Sequence, residues 1–139
     1  MTENIFNGYK LGDNPEEMDP EAICSLLHHS YWAADRPREV ILKSMENSLC
    51  FGAWKDGKQV AFARVVTDFA TIFWLGDLIV DEAHRGHGLG KAFVEFILSS
   101  ERLRGLNAIL TTRDAHSLYE KFGFVKIDGL AMGRRARSS

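Results

Sequence analysis

The stretch TIFWLGDLIV-DEAH-RGHGLGK, residues 71–91, decides how this chain folds. Its first ten residues are an apolar run rich in β-branched and aromatic side chains, which predicts a strand. That run is broken at Gly76 and Asp77, and a glycine inside a strand marks a bulge or a close backbone approach. The last seven, Arg85-Gly86-His87-Gly88-Leu89-Gly90-Lys91, place three alternating glycines between the C-terminal end of the strand and the start of a helix. Free backbone N–H groups and the helix dipole favour an anion at such a junction, and the glycines let the backbone curl around a phosphate unobstructed. Arg85 and Lys91 add positive charge. A Walker A loop is excluded, because Arg85 stands five residues before Gly90 and Ala92 after Lys91 offers no hydroxyl for magnesium. The Gly-x-Gly-x-Gly spacing, late in the chain, also departs from the dinucleotide fingerprint.

Working outward, Leu89, Ala92, Phe93, Phe96 and Ile97 form an apolar stripe at i, i+3, i+4, i+7 and i+8, predicting a helix over 88–100. Residues 107–112 predict a short buried strand. Asp114 then reads as an N-cap for a helix over 115–122, stopped by Gly123. A strand, a helix and a strand in succession make the strands ending at Val80 and beginning at Asn107 parallel. Upstream, residues 49–54 and 60–67 predict two antiparallel strands around the turn at Asp56-Gly57. Asp19-Pro20 opens a helix over 19–29. Asp35-Arg36-Pro37 opens another, with Val40, Ile41, Ser44 and Met45 on one side, and the turn between the two carries Tyr31 and Trp32. The fold class is therefore mixed α/β, with a sheet antiparallel first and parallel later.

With 139 residues, 45% of them hydrophobic and 26% charged, the chain suits a single domain over 1–139. A net charge of −2 argues against a phosphate-backbone grip, so nucleic acid is not an expected partner. No run approaches the roughly 18 apolar residues of a membrane span, and Met1-Thr2-Glu3-Asn4 does not read as a leader, so a cytoplasmic protein without a membrane partner is expected. Six acids in residues 1–30 and the tail arginines Arg134, Arg135 and Arg137 read as solvated surface. Cys24 and Cys50, in apolar surroundings, read as buried thiols more readily than as a catalytic nucleophile. His84 and His87, like His28 and His29, lack the partners of a metal motif, and no metal is expected.

Two motifs together resemble the GNAT superfamily of acyl-CoA-dependent N-acetyltransferases. Arg85-Gly86-His87-Gly88-Leu89-Gly90 is similar to its Arg/Gln-x-x-Gly-x-Gly/Ala signature. Ala115, Leu118, Tyr119, Gly123 and Phe124 match its later Asn-x-x-Ala-x-x-Leu-Tyr-x-x-x-Gly-Phe pattern. Residues 30–32 and 64–68 also resemble a subgroup of small bacterial GNAT proteins without an assigned substrate. Glu82 and Thr112 depart from the pattern, where proline and asparagine are common, and the C-terminal strand pair reads as truncated after Ile127.

The resemblance implies a mixed sheet splayed between its two middle parallel strands, with helices on both faces, and acetyl-CoA as acyl donor. Its pyrophosphate would lie on residues 85–91 (Arg85, Gly86, His87, Gly88, Leu89, Gly90, Lys91). Its pantetheine arm would run along Leu78, Ile79 and Val80, with Thr112, Ala115 and Leu118 opposite. Tyr119 then matches the general acid, since a phenol of pKa about 10 stays protonated at neutral pH and can donate to a departing thiolate. Asp77, interrupting the strand beside the expected acetyl position, is the candidate base, with Asp68, His84 and His116 as rivals. Tyr31, Trp32 and Arg36, with Asp68, Phe69 and Trp74 opposite, are expected to receive the acceptor, the amine of a small molecule or peptide. A non-catalytic acyl-CoA-binding regulatory module is the competing expectation, because a glycine loop secures binding and not chemistry. A monomer and a homodimer both fit.

Overall fold

The computed structural model describes residues 2–136. Six strands lie side by side in chain order: β1 Glu3–Phe6, β2 Tyr9–Gly12, β3 Leu49–Lys55, β4 Lys58–Thr67, β5 Ile72–Val80 and β6 Asn107–Ile109. Every neighbouring pair is antiparallel except β5 and β6, which are parallel. The helices are α1 Pro20–His28, α2 Arg38–Glu46, α3 Leu89–Leu98 and α4 His116–Glu120.

Strand alternation sends side chains to two cores, one on each face of the sheet. Leu11, Phe51, Val65, Phe73 and Leu75 pack with Leu89, Phe93, Val94 and Ile97 of α3. On the other face Cys50, Phe62 and Ile79 pack with Ile23 and Leu27 of α1 and Ile41 of α2. Asp19 caps α1 as expected, accepting from the Glu21 and Ala22 N–H groups at 3.1 and 3.3 Å.

The predicted break in β5 is a bulge. Phe62 opposes Ile79 and Arg64 opposes Gly76, so three steps along β5 match two along β4, and Asp77 takes a left-handed φ of +53°. The extra residue reverses the alternation: Phe73 and Leu75 face α3, whereas Ile79 faces α1 and α2. Gly76 is required here because the Trp74 indole lies across it; a Cβ at Gly76 would sit 1.9 Å from a ring carbon.

Three local expectations change. The β1–β2 hairpin is additional, built on Asn7 and Gly8 with φ of +45° and +83°, the geometry of a tight two-residue turn. The sixth strand ends at Ile109 rather than at residue 112, because only Ile72, Phe73 and Trp74 of β5 pair with it. The last helix starts at His116 with Ala115, not Asp114, at its N-cap, and the Ala115 N–H is met by the Thr112 hydroxyl at 3.0 Å. Arg137, one of the tail arginines, lies outside the described residues. No helix among the described residues is long and apolar enough to cross a membrane.

Candidate functional site

Among the described residues, the edge of β5 facing β6 has no strand partner beyond Trp74. The divergence opens a cleft of about 600 Å³. Trp74, Leu75, Gly76, Asp77 and Leu78 form one wall. Residues 111–115, Leu118 and Tyr119 form the other, and Tyr31, Trp32 and Arg36 from the turn between α1 and α2 complete the lining. Two parallel strands that pair for three residues and then part thus leave an unpaired backbone edge facing a space that a ligand can fill.

The glycine loop follows directly from the end of β5. Gly86 and Gly88 adopt φ of +82° and +80°, conformations that side-chain-bearing residues rarely take, and Gly88 is the N-cap of α3. A Cβ at Gly86 or Gly90 would meet nothing within 4 Å, so this side of the loop is open. His87 and Lys91 are exposed, while Arg85 donates its Nε–H to the Val80 carbonyl at 2.9 Å and ties the loop to the strand. Leu78 is half-buried on the cleft; Ile79 and Val80 are buried and are not part of its lining. His84, a rival for the base, instead pairs through Nδ1 with the Tyr9 hydroxyl at 2.9 Å.

Tyr119 lies on α4 at the cleft wall, with Phe124 edge-on at 5.9 Å. Burial raises its phenol pKa, and the nearby Asp114 and Tyr31 raise it further. Thr112, Ala115 and Leu118 line the same wall. His116 lines an adjoining groove of about 280 Å³ along residues 108–112 and 124–128, which shares Thr111, Thr112 and Tyr119 with the cleft.

Asp77 is almost wholly enclosed. Its Oδ2 accepts from Arg36 at 2.7 Å and from Arg64 at 2.9 Å, and its Oδ1 accepts from the Trp32 indole at 3.0 Å. Burial alone would raise its carboxyl pKa, but the two guanidinium groups outweigh burial and hold it below the usual range. Arg64 also lies over the Trp74 ring at 5.2 Å. One charged side chain inside each of two adjacent apolar runs, residues 60–67 and 71–80 apart from their ends, is the signal that links Arg64 to Asp77, a pairing not expected from the sequence.

The expected partnership of Asp68 with Tyr31, Trp32 and Arg36 is not formed. Asp68 closes the turn between β4 and β5, accepting from the N–H groups of Ala70 and Thr71 and from the Thr71 hydroxyl, all at 2.5 to 2.9 Å. These donors hold its pKa well below the usual carboxylate range. Phe69 is exposed beside that turn, stacked with Arg102, while Trp74 does line the cleft. Arg113, not expected from the sequence, lies 3.7 Å from the centroid of the Tyr31 ring. Cys24 and Cys50 are buried free thiols, and burial pushes the Cys50 pKa up to about 11. Among the described residues no group of three or more His, Cys, Asp or Glu side chains converges as a metal site.

A mixed sheet whose two parallel strands diverge beside a glycine loop at a helix N-terminus, the geometry that favours an anion, defines the class of domain. The chain belongs to the GNAT acetyltransferase family, whose domain it matches over residues 46–126. It is similar to a GNAT-family protein of Xanthomonas campestris, described as an acetyltransferase, at 36% identity and a TM-score of 0.87; the match covers 92% of this chain and 93% of that one. It is 32% identical, over 72% of its length, to the chloroplastic GCN5-related N-acetyltransferase 1 of Arabidopsis thaliana. It is 34% identical, over 57%, to a ribosomal protein bS18-alanine N-acetyltransferase of Escherichia coli. The matches take in 54% and 56% of those two relatives, so the chain corresponds to about half of each.

Proposed function

We propose that this protein transfers an acetyl group from acetyl-CoA directly to the primary amine of a small molecule or peptide, with Tyr119 as the general acid. The observation that carries this reading is the phenol of Tyr119, kept protonated by burial, on a cleft whose opposite wall is an unpaired strand edge. Bound acetyl-CoA supplies the activated thioester carbonyl. The N–H groups of residues 85–91 receive its pyrophosphate, with Lys91 adding charge, and the open space at Gly86 and Gly90 accommodates the approach. The backbone of Leu78, Ile79 and Val80 meets the amides of the pantetheine arm, and Thr112, Ala115 and Leu118 close the far side. When the amine attacks the thioester carbonyl and the carbon–sulfur bond breaks, the Tyr119 hydroxyl gives its proton to the sulfur.

Tyr31, Trp32 and Arg36 receive the acceptor. Asp77 serves as an anchor and not as the base: a carboxylate shared by two guanidinium groups, with a lowered pKa, is a poor proton acceptor. It fixes the bulge and joins β5 to the turn bearing Trp32 and Arg36.

The test is calorimetric titration with acetyl-CoA and CoA, followed by a thiol-release screen of amines, amino acids and peptides on the same protein. Binding with amine-dependent thiol release is expected. Binding without release from any amine would favour the regulatory module, and no binding would overturn both readings.

A further inference from the structure

Resting on the acetyltransferase reading of the cleft, we infer that the acceptor is an apolar or aromatic amine that also bears one carboxylate, held by Arg113 and Arg36 while its amine faces Asp114 and Tyr119. Arg113 is exposed, lines the cleft, and makes no ion pair among the described residues. Its guanidinium lies 3.7 Å from the Tyr31 ring centroid. Stacking occupies the face of a guanidinium and leaves its in-plane N–H fork available, which is the geometry that takes a carboxylate bidentately. Arg36 gives one N–H to Asp77 and also lines the cleft.

The charges decide which acceptor this wall suits. The Asp77 carboxylate is shared by Arg36 and Arg64, so that trio carries one net positive charge. Arg113 and Asp114 offset each other in number but not in place: Arg113 is on Tyr31, whereas Asp114 is close enough to Tyr119 to raise its pKa. Arg36, Arg113, Asp77 and Asp114 line the cleft and Arg64 does not, so the lining carries two charges of each sign, and Arg113 is its one cation without an ion-pair partner among the described residues. The reactive form of an amino acid, with a neutral amine and an ionised carboxylate, carries the single negative charge that the unpaired Arg113 guanidinium can take. A plain amine does not, and a diamine adds repulsion. Tyr31, Trp32 and Trp74 supply aromatic surface for the rest of the acceptor.

The experiment compares phenylalanine, its amide, phenethylamine and the matching aminophosphonate as acceptors, by thiol release from acetyl-CoA. In parallel, each is titrated against the intrinsic fluorescence of the protein, to which Trp32 and Trp74 contribute from the cleft wall. The acid is expected to exceed the amide and the plain amine in kcat/KM by about tenfold or more, mostly through KM. Arg113→Gln should bring the ratio near unity and Arg113→Lys should restore part of it, with acetyl-CoA affinity and thermal midpoint as controls on folding. Equal use of acid and amide, a preference for the plain amine or the aminophosphonate, or a ratio that survives Arg113→Gln would each overturn the inference. If no amine releases thiol, the transferase reading fails separately. The fluorescence titration then still decides, because Arg113-dependent binding of the acid over the amide supports the carboxylate site and its absence removes it.

Discussion

At the scale of single residues, Tyr119 and Asp77 are both buried ionisable groups on one cleft, shifted in opposite directions. A raised phenol pKa keeps the proton available throughout the neutral range. Tyr119→Phe is therefore expected to lower kcat by about 10²–10⁴-fold, the range for a general acid, with the calorimetric Kd for acetyl-CoA unchanged. A loss of affinity with no loss of kcat would identify Tyr119 as packing alone. Asp77 is depressed by its two arginines, so its contribution to stability is present above the unfolded carboxylate pKa of about 3.9 and is lost as pH falls through the lower folded value. Asp77→Asn should cost about 3–5 kcal/mol at pH 7, since it removes the partner of two partly buried cations. In urea titrations the gap between wild type and variant should narrow as pH is lowered below about 4; a gap constant with pH would mean that charge is not what Asp77 provides. The position of Tyr119 on the last helix was legible from its motif. Asp77 was legible as an anomaly in an apolar strand, open to reading as a base or as a carboxylate fixing the bulge, but its partners were not, because Arg36 and Arg64 are 41 and 13 residues away in sequence.

At the scale of elements, β5 carries the site, and its reading from sequence succeeded where local chemistry is explicit. Gly76-Asp77 marked the bulge, the three glycines marked the loop, and the stripe from Leu89 to Ile97 marked α3. The β1–β2 hairpin escaped because each strand has four residues, β1 is at the exposed edge, and polar Asn4 and Lys10 blur the alternation; Asn7-Gly8 was the available signal. The shortness of β6 could not be read locally, since its apolar run continues while its partner strand diverges. Two glycine substitutions separate the element's structural and binding roles. Gly76→Ala forces a methyl into the Trp74 ring and should destabilise the fold by about 1–3 kcal/mol, detectable as a lower thermal midpoint. Gly86→Ala has free space but a φ of +82°, so its cost is loop strain of about 1–2 kcal/mol. It should appear mainly as weaker CoA binding, and unchanged affinity would mean that the loop's curl is not what receives the pyrophosphate.

At the scale of the whole molecule, the two cores are continuous across the antiparallel strands, but the sheet beyond β5 is fastened to β6 by only three residue pairs. The wall formed by residues 111–115 and α4 therefore depends on that short ladder and on Tyr119, Leu118 and Phe124 packing against the α3-side core. A ligand that bridges the β5 edge and this wall would couple the two halves where the protein itself does not. Linkage then sets the size of the effect: acetyl-CoA at 100 times its Kd should stabilise the native state by about 2.7 kcal/mol, a shift on the order of 10 °C for a domain of this size. Hydrogen exchange locates the effect as well as measuring it. Protection should rise at the amides of residues 75–80 and 111–119, the two sides of the cleft, and at the loop of residues 85–91. Amides of β2 and β3, already paired on both sides, should follow only the global gain. Protection confined to the loop would show that phosphate is held without the strand edge, and the tail would then have to lie elsewhere than between β5 and β6.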